Sequence, residues 1–336
     1  MQSLPSISIL VMSYNQEAYI GACVDSVLSQ EYDGELEIIF CDDNSSDSTF
    51  STIQEKVYKY TGTRNIKLYQ SSENVRVAAN MNNGIKLAQG EWIMRMDGDD
   101  IMHEDRVRLT SEIICNNPDI VAVCGRYQHF KTTPQAVKNP DYKDLKIQIN
   151  DYQDITPNEV PQNLEWWGGI MCMKRSIFDI FGPLPSECDV LDDTMFATRA
   201  LMLGKYASVT NATFIYYRRH ENNVSSENSV ANSIFDIMKQ DKAMRQYYRR
   251  GIHCHKPILD EISTYVSIHP EYNVLYEYFS NRFNELKRQG EFWQKSWCKR
   301  IKDAHISGHF WRKIPWAIRV LCPFTYALAS KFRKKS

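Results

Sequence analysis

Apolar and polar positions come in blocks along the first two thirds of this chain, and the period of the pattern changes from block to block. Ser6 to Tyr14 (SISILVMSY) is a mostly apolar, β-branched run, the pattern of a strand buried on both faces. Glu17 to Gln30 switches to helical spacing, with Ile20, Val24, Val27 and Leu28 on one side. Leu36 to Cys41 (LEIIFC) reads as a second buried strand, and a polar loop leads from it into a helix from about Thr49 to Tyr60. Ile66 to Gln70 is a third short strand, Val75 to Ala88 a helix closed by Gly90, and Glu91 to Met96 a fourth strand. A helix from Glu104 to Cys115 stops before Pro118, and Ile120 to Cys124 makes a fifth strand. Strand and helix alternate with short links. That predicts right-handed crossovers and an α/β fold with a mostly parallel central sheet.

The rhythm fails over residues 131–165, which are rich in Asp, Asn, Pro and Gln and read as a long, partly irregular excursion. Order returns in a strand-like stretch, Trp166 to Met173, and continues through Phe181. Asp193 to Leu203 is a helix ended by Gly204, and Tyr206 to Tyr217 gives one or two strands. After about Asn232 only helical pattern remains. Residues 1–231 are therefore expected to form the α/β domain, and residues 232–336 a helical C-terminal appendage.

Composition changes this picture mainly at the C-terminus. A hydrophobic content of 43% and a charged content of 24% are ordinary for a globular protein. The net charge of −1 hides an asymmetry. Residues 286–336 hold 13 Lys/Arg against Glu291 and Asp303, a balance of +11, which leaves −12 for residues 1–285. Such a basic tail suits an anionic surface, a membrane or a nucleic acid. The nine scattered cysteines lack a C-x-x-C pair, which fits reduced thiols and a cytoplasmic setting. The His253-Cys254-His255 cluster has no partner ligands at zinc spacing. No N-terminal signal pattern and no apolar run of membrane-spanning length are read.

Three acidic clusters fall at predicted strand ends or helix starts, which a parallel sheet gathers at one rim. Asp97-Gly98-Asp99-Asp100 follows the fourth strand, and acids at i and i+2 can turn toward one Mg²⁺ or Mn²⁺ whose shell is completed by phosphates. The same turn could instead cap the next helix. Asp42-Asp43 could accept a hydrogen bond from a nucleobase imide such as that of uracil, or cap a helix. Asp192-Asp193 stands at a helix start, with capping again the alternative.

Taken in order, these pieces resemble the inverting glycosyltransferases of family two, which have the nucleotide-diphosphosugar transferase (GT-A) fold. The likeness runs from about Pro5 to Ser225. Ser13-Tyr14-Asn15 matches after the first strand, and Asp42-Asp43-Asn44-Ser45 with Asp47-Ser48-Thr49 after the second. Asn82-Asn83-Gly84-Ile85, Ala88 to Ile93 and Asp97-Gly98-Asp99-Asp100 follow. The late matches are Asp192-Asp193-Thr194 with Phe196, Arg199, Ala200 and Gly204, then Tyr217-Arg218-Arg219-His220 and Ser225. The resemblance implies that Asp43 binds the nucleobase, with Tyr14 and Asn15 in the nucleotide-sugar site. It implies that Asp99, with Asp97, faces the ribose and a diphosphate-bound Mn²⁺ or Mg²⁺. His220 approaches the metal or the diphosphate, and Asp193 is the general base.

Two positions depart from the family pattern. Arg76 stands where a glycine is common, either to help bind diphosphate or as a surface charge, and Asp192 replaces a usual glutamate. Trp166 and Trp167, with Asp192, are candidate acceptor-binding residues, because aromatic faces pack on pyranose rings; core packing is the other reading. A sugar hydroxyl needs a carboxylate to take its proton as it attacks, and a single base opposite the leaving group inverts the anomeric carbon.

The expected activity is transfer from a nucleotide sugar, UDP-linked, to a glycan or lipid-linked saccharide acceptor in bacterial surface polysaccharide synthesis. Trp311 to Ser336 mixes apolar groups with seven Lys/Arg, which suits peripheral attachment to the inner face of an anionic membrane. Packing on the catalytic domain is the alternative for this tail, and no motif supports nucleic-acid binding. A nucleotidyltransferase would need a Gly-rich basic loop after the first strand, and a dinucleotide-dependent oxidoreductase a G-x-G-x-x-G; both are missing. A degenerate sugar-binding scaffold of the same fold is the non-enzyme alternative.

Overall fold

The computed structural model describes residues 3–151, 168–188, 192–220 and 234–295. These fall into two units, one running to Val224 together with His269–Leu275, the other formed by Ser225–Ile268 and the chain from Tyr276.

The apolar runs become the middle of the first unit. β1 (Ile7–Ser13) and β2 (Leu36–Asp42) are buried at every position, as expected of strands covered on both faces. Each large side chain sequestered there, such as Ile38 or Phe40, contributes roughly 1.5–3 kcal/mol. They are joined by β3 (Asn65–Gln70), β4 (Trp92–Asp97), β5 (Ile101–Met102), β6 (Ile120–Phe130), β7 (Ile147–Asn150), β8 (Met171–Lys174) and β9 (Lys205–Arg218). Among the described residues these strands form one sheet in the order β3-β2-β1-β4-β8-β6-β9-β5, with β7 also on β9. β1 lies parallel to β2 and β4, β2 to β3, and β6 to β9, whereas β8, β5 and β7 run antiparallel to their neighbours.

Register places the chemistry. Ser13 of β1 is level with Asp42 of β2, and Met12 with Asp97 of β4. With strands about 4.8 Å apart, the loops after β2 and β4 emerge on one rim roughly 10 Å from each other.

The helices are α1 (Ile20–Leu28), α2 (Thr49–Lys59), α3 (Arg76–Leu87), α4 (Arg106–Asn116), α5 (Ser176–Phe181) and α6 (Asp192–Leu203). α1 buries Ile20, Cys23, Val24 and Val27, one helical stripe. α3 comes close to the sheet at Gly84, where a Cβ would lie 2.9 Å from Cys41 Sγ. The completely buried Arg199 of α6 donates to the carbonyls of Phe181, Gly182 and Pro183 at 3.4, 2.9 and 3.3 Å, closing the end of α5. Its place in the sequence pattern is thus structural.

Four elements differ from the sequence reading. Of the strand-like stretch Trp166 to Met173, Gly168–Ile170 is a 3-10 turn and the strand begins at Met171. β6 runs on to Phe130, because its outer half pairs with β9. The irregular excursion contains a 3-10 turn, Tyr142–Asp144, and β7. β5 has only two residues, too few to show any period.

In the second unit, α7 (Ile234–Val266) and α8 (Asn273–Gln294) make an antiparallel helical pair. α7 buries Cys254, Ile258 and Ile262, and α8 buries Phe279, Phe283 and Leu286, both at helical spacing. The helices approach closely at Gly290, where a Cβ would sit 3.1 Å from Ile252 Cδ1. His255 Nδ1 donates within its own helix, to Gly251 O at 2.8 Å, so the His253-Cys254-His255 tripeptide is helix packing. The seven described cysteines are free thiols. No helix among the described residues is long and apolar enough to cross a membrane.

Candidate active site

The loop after β2 divides its two acids. Asp42 is fully buried and accepts from Ser13 Oγ (3.0 Å), Ser45 N (2.8 Å), Ser45 Oγ (2.6 Å) and Gln70 Nε2 (3.0 Å). It is the turn-capping acid. Asp43 instead reaches across to the loop before α3, where Oδ1 accepts from Val75 N at 2.7 Å and Oδ2 from Arg76 N at 2.8 Å. Two backbone donors fix the plane of this carboxylate, and each oxygen has more than one lone pair to offer.

Among the described residues the non-glycine positions with positive φ are Asn15 (49°), Asn44 (59°) and Arg76 (71°), one in each loop after β1, β2 and β3. Asn visits this left-handed region readily and Arg does not. Asn15 Oδ1 accepts from Ser46 N at 2.8 Å, while its own N–H donates to Ser45 Oγ at 2.9 Å. Gln16 N to Thr49 Oγ1 (2.7 Å) and Ser48 N to Glu17 Oε2 (3.0 Å) continue the stitching of the first two loops. Asn15 therefore shapes the rim through its amide. Tyr14, beside it, is 47% exposed.

The acidic turn after β4 is built around Gly98. Its N–H donates to Met12 O at 2.8 Å, and a Cβ there would lie 2.5 Å from Gln16 Oε1 and 3.0 Å from Met12 O. Asp100 N closes the turn onto Asp97 O at 3.2 Å. Asp97 Oδ1 accepts from Arg95 Nε (3.2 Å) and Nη2 (3.1 Å). Asp99 Oδ2 lies 2.9 Å from His220 Nε2, both side chains being mostly buried. β5 makes this meeting possible: it follows the turn directly and pairs Ile101 with Tyr216 and Met102 with Ile215, which brings the end of β9 to the acids.

Arg218 secures the junction. Its N–H donates to Asp100 Oδ1 at 2.8 Å and its Nε to Asp99 O at 2.9 Å. The guanidinium carbon sits 5.0 Å from the Tyr19 ring centre and 4.4 Å from that of Phe130, and Tyr19 stacks on His220 at 4.6 Å. Neither end of α4 uses Asp97 or Asp99; the Asp105 N–H donates to His103 Nδ1 at 3.1 Å. Helix capping by the acidic turn is thereby ruled out.

Crowding sets the electrostatics. Burial, and then the charge of Asp97, pushes the Asp99 carboxyl above its ordinary range, against the hydrogen bond from His220. Asp100, buried beside Asp99 and Asp97, is pushed up to about 9, and among the described residues its Oδ2 has no hydrogen-bond partner. Beneath the turn, the buried Arg106 donates to Arg95 O (3.0 Å) and Met171 O (3.3 Å), and burial pulls its guanidinium down to about 10.

A divalent cation fits this donor set. Asp99 and His220 present an oxygen and a nitrogen to each other, and a nearby dication would offset the like-charge crowding that raises the acids. Among the described residues no group of three or more His, Cys, Asp or Glu makes a closed cage. A two-ligand site completed by waters and substrate phosphates is the usual arrangement for Mg²⁺.

Asp193 lies on a separate element, in the first turn of α6, where Oδ1 accepts from Thr194 N at 2.7 Å. The Thr194 hydroxyl lies 3.4 Å from the same oxygen. Trp166, Trp167, the Asp192 side chain and Ser225 lie outside what is described. Tyr19, Phe130 and the parts played by Asp100 and Arg218 were not read from sequence. Asp100 stood in the acidic run, and Arg218 left a signal in strand alternation, which sets it on the opposite side from Tyr217 and Arg219. A cavity of about 380 Å³ lined by Ser6, Glu35, Arg64, Asn65 and Gln89 lies at the opposite rim, where Glu37 is already engaged by Ser8, Lys67 and Gln89. It carries no constellation for chemistry.

The model of the family "Glycosyl transferase family 2" matches residues 8–181, just over half of the chain. The chain belongs to glycosyl transferase family 2. This family 2 chain is 34% identical over 175 residues to a poly-beta-1,6-N-acetyl-D-glucosamine synthase of Staphylococcus epidermidis, covering 52% of the chain and 36% of that protein. It is 34% identical over 122 residues to the Escherichia coli UDP-Glc:alpha-D-GlcNAc-diphosphoundecaprenol beta-1,3-glucosyltransferase WfgD, covering 36% of the chain and 46% of that protein. The matches thus span less than half the length of either relative. Among solved structures, S. aureus TarS 1-349 in complex with UDP-GlcNAc superposes with a TM-score of 0.59 at 18% identity, over 96% of this chain and 81% of that one. That likeness shows the GT-A type of fold in this family 2 member.

Proposed function

We propose that this chain is an inverting, divalent-metal-dependent glycosyltransferase that moves a sugar from a UDP-sugar to a glycan acceptor, with residues 1–231 as the catalytic domain and 232–336 as a basic helical region. The observation that carries the reading is the 2.9 Å pair of Asp99 Oδ2 and His220 Nε2, two residues 121 apart in sequence that meet at the rim where ligands of open α/β sheets bind. The relatives' names support the substrate class: one acts from UDP-Glc, and the TarS structure holds UDP-GlcNAc.

In this reading Asp43 receives the nucleobase, and Tyr14, Asn15 and Arg76 line the nucleotide-sugar site. Asp97 faces the ribose and diphosphate. Asp99 and His220 hold Mn²⁺ or Mg²⁺, which when bound supplies electrostatic stabilisation of the charge developing on the leaving diphosphate. Asp193 takes the proton of the acceptor hydroxyl as it attacks. The Thr194 N–H, at the start of α6, orients that carboxylate. Trp166, Trp167 and Asp192 belong to the acceptor side. One base and one displacement invert the anomeric carbon.

A lipid-linked saccharide as acceptor is supported by the diphosphoundecaprenol named for WfgD and by the basic tail. Seven Lys/Arg in residues 311–336, at about 1 kcal/mol each near an anionic surface, favour a place on the inner face of the cell membrane. Removing this tail should release the protein from anionic vesicles; a full-length protein that ignores such vesicles would make the tail a packing element.

Nucleotide release from a panel of nucleotide sugars, with Mn²⁺ and then with chelator, tests the whole reading. Metal-dependent release is expected from a UDP-sugar. Donor binding without any turnover on any acceptor would favour the sugar-binding scaffold.

A further inference from the structure

Beyond the acids, the rim carries a second cluster that the reaction as described leaves unused. In the parallel register of β6 and β9, Tyr127 is level with Ile215 and His129 with Tyr217. Alternation along the strands therefore puts Tyr127, His129 and Tyr217 on one face, with Arg219 two residues beyond Tyr217 on the same side. The opposite face holds Phe130, Arg218 and Tyr216, already engaged with Tyr19 and with His103.

The rings of the first face meet edge to face or tilted. Centroids lie 4.9 Å apart for Tyr127 and His129, 5.4 Å for His129 and Tyr217, and 5.8 Å for Tyr127 and Tyr217. Arg219 spreads over the Tyr217 ring at 5.5 Å and donates from Nε to His129 Nδ1 at 3.2 Å. His129 is exposed, while Tyr127, Tyr217 and Arg219 are partly exposed. Three rings and a guanidinium that water still reaches are not explained by core packing, since the same strands bury Val123, Phe214 and Ile215 almost completely.

Position adds the rest. Arg219 is followed directly by His220, so along the chain Tyr217 is within about 10 Å of the Asp99–His220 pair. A pyranose offers an apolar C–H face to an aromatic ring and a rim of hydroxyls to Arg and His, which is the combination presented here.

We infer that Tyr127, His129, Tyr217 and Arg219 form a binding subsite for a pyranose unit of the acceptor glycan, stacked on the tyrosines and hydrogen-bonded by Arg219 and His129. This subsite rests on the glycosyltransferase reading above and adds to it a place for the acceptor sugar on β6 and β9.

The test uses the full-length protein with its donor side filled. UDP affinity in Mn²⁺ is first measured by calorimetry. Saturation-transfer NMR then follows methyl β-D-glucopyranoside and methyl β-D-N-acetylglucosaminide in the presence of saturating UDP and Mn²⁺. At least one glycoside should give a transfer signal, weakened about five- to tenfold in Tyr127→Ala, the scale of one lost ring contact, and recovered in Tyr127→Phe. Should Tyr127→Ala fail to fold, the exposed His129→Gln and Arg219→Gln carry the same measurement. A wild-type protein that binds UDP but neither glycoside overturns the subsite, as does a glycoside signal unchanged in all three variants. Absence of UDP binding in the wild type would instead overturn the donor reading on which the subsite rests.

Discussion

Arg76→Gly should make the protein more stable and worse at holding its donor. Arg76 sits at φ 71° at the start of α3, and its N–H is one of the two donors that fix Asp43. An L-residue in this region costs roughly 1–2 kcal/mol because its Cβ crowds the following carbonyl. Glycine avoids that cost but loses more backbone freedom on folding, about 0.5–1 kcal/mol. The difference leaves a net stabilisation of about 0.5–1 kcal/mol. For a unit of this size that is about 1–4 °C in Tm. Arg76→Ala keeps the backbone strain, so it should show no such rise, and it separates the strain from the side chain. Thermal unfolding followed by circular dichroism reads the first effect, and calorimetry with a UDP-sugar in Mn²⁺ reads the second. Both variants should lose about tenfold or more in donor affinity, the scale of one charge-assisted bond to phosphate. A lower Tm in Arg76→Gly would refute the strain argument. Unchanged affinity in both variants would remove Arg76 from the donor site and leave the strained position without a use.

Asp193→Asn should keep UDP-sugar binding while turnover falls by roughly 10²-fold or more, the scale of a lost general base; near wild-type turnover on the true acceptor would exclude that role. Asp99→Ala should abolish the dependence of UDP affinity on Mn²⁺ or Mg²⁺, and calorimetry with an unchanged metal effect would contradict the assignment. Asp100 predicts a pH signature in chelator. Its folded carboxyl titrates at about 9 against an ordinary 3.8, so the folded state keeps a proton that the unfolded state loses. The resulting stabilisation is full below about pH 4 and is lost as pH rises toward 9, and Asp100→Asn should flatten this fall in Tm.

The central sheet was legible because β1, β2 and β4 are covered on both faces, so their sequences are nearly unbroken apolar runs. β5 and β7 were not, since two or four residues hold too little pattern and their pairing partner, β9, lies far along the chain. The same limit governs the site. Asp99 and His220 were identified from their motifs, and the structure brings them together. The resemblance singled out Asp43, but the contacts that separate it from Asp42 could not be read, since they are Gln70 on one side and the Val75 and Arg76 amides on the other. Nor could Tyr19, which looks like any residue opening a helix until it is found between His220 and Arg218.

The two-residue pairing of β5 with β9 also fixes the order in which the site can come into being. Asp99 leaves the ribosome early, but its partner imidazole follows 121 residues later, so a nascent chain ending short of His220 carries the three crowded carboxylates without the group that bonds to Asp99. Closing so long a loop is an entropic cost that must be met before the contact repays it. The loops after β1 and β2 are stitched to each other over about 30 residues and can mature well before that point. The meeting of Asp99 with His220 is therefore a later step than the stitching of those loops, since it waits for 121 further residues.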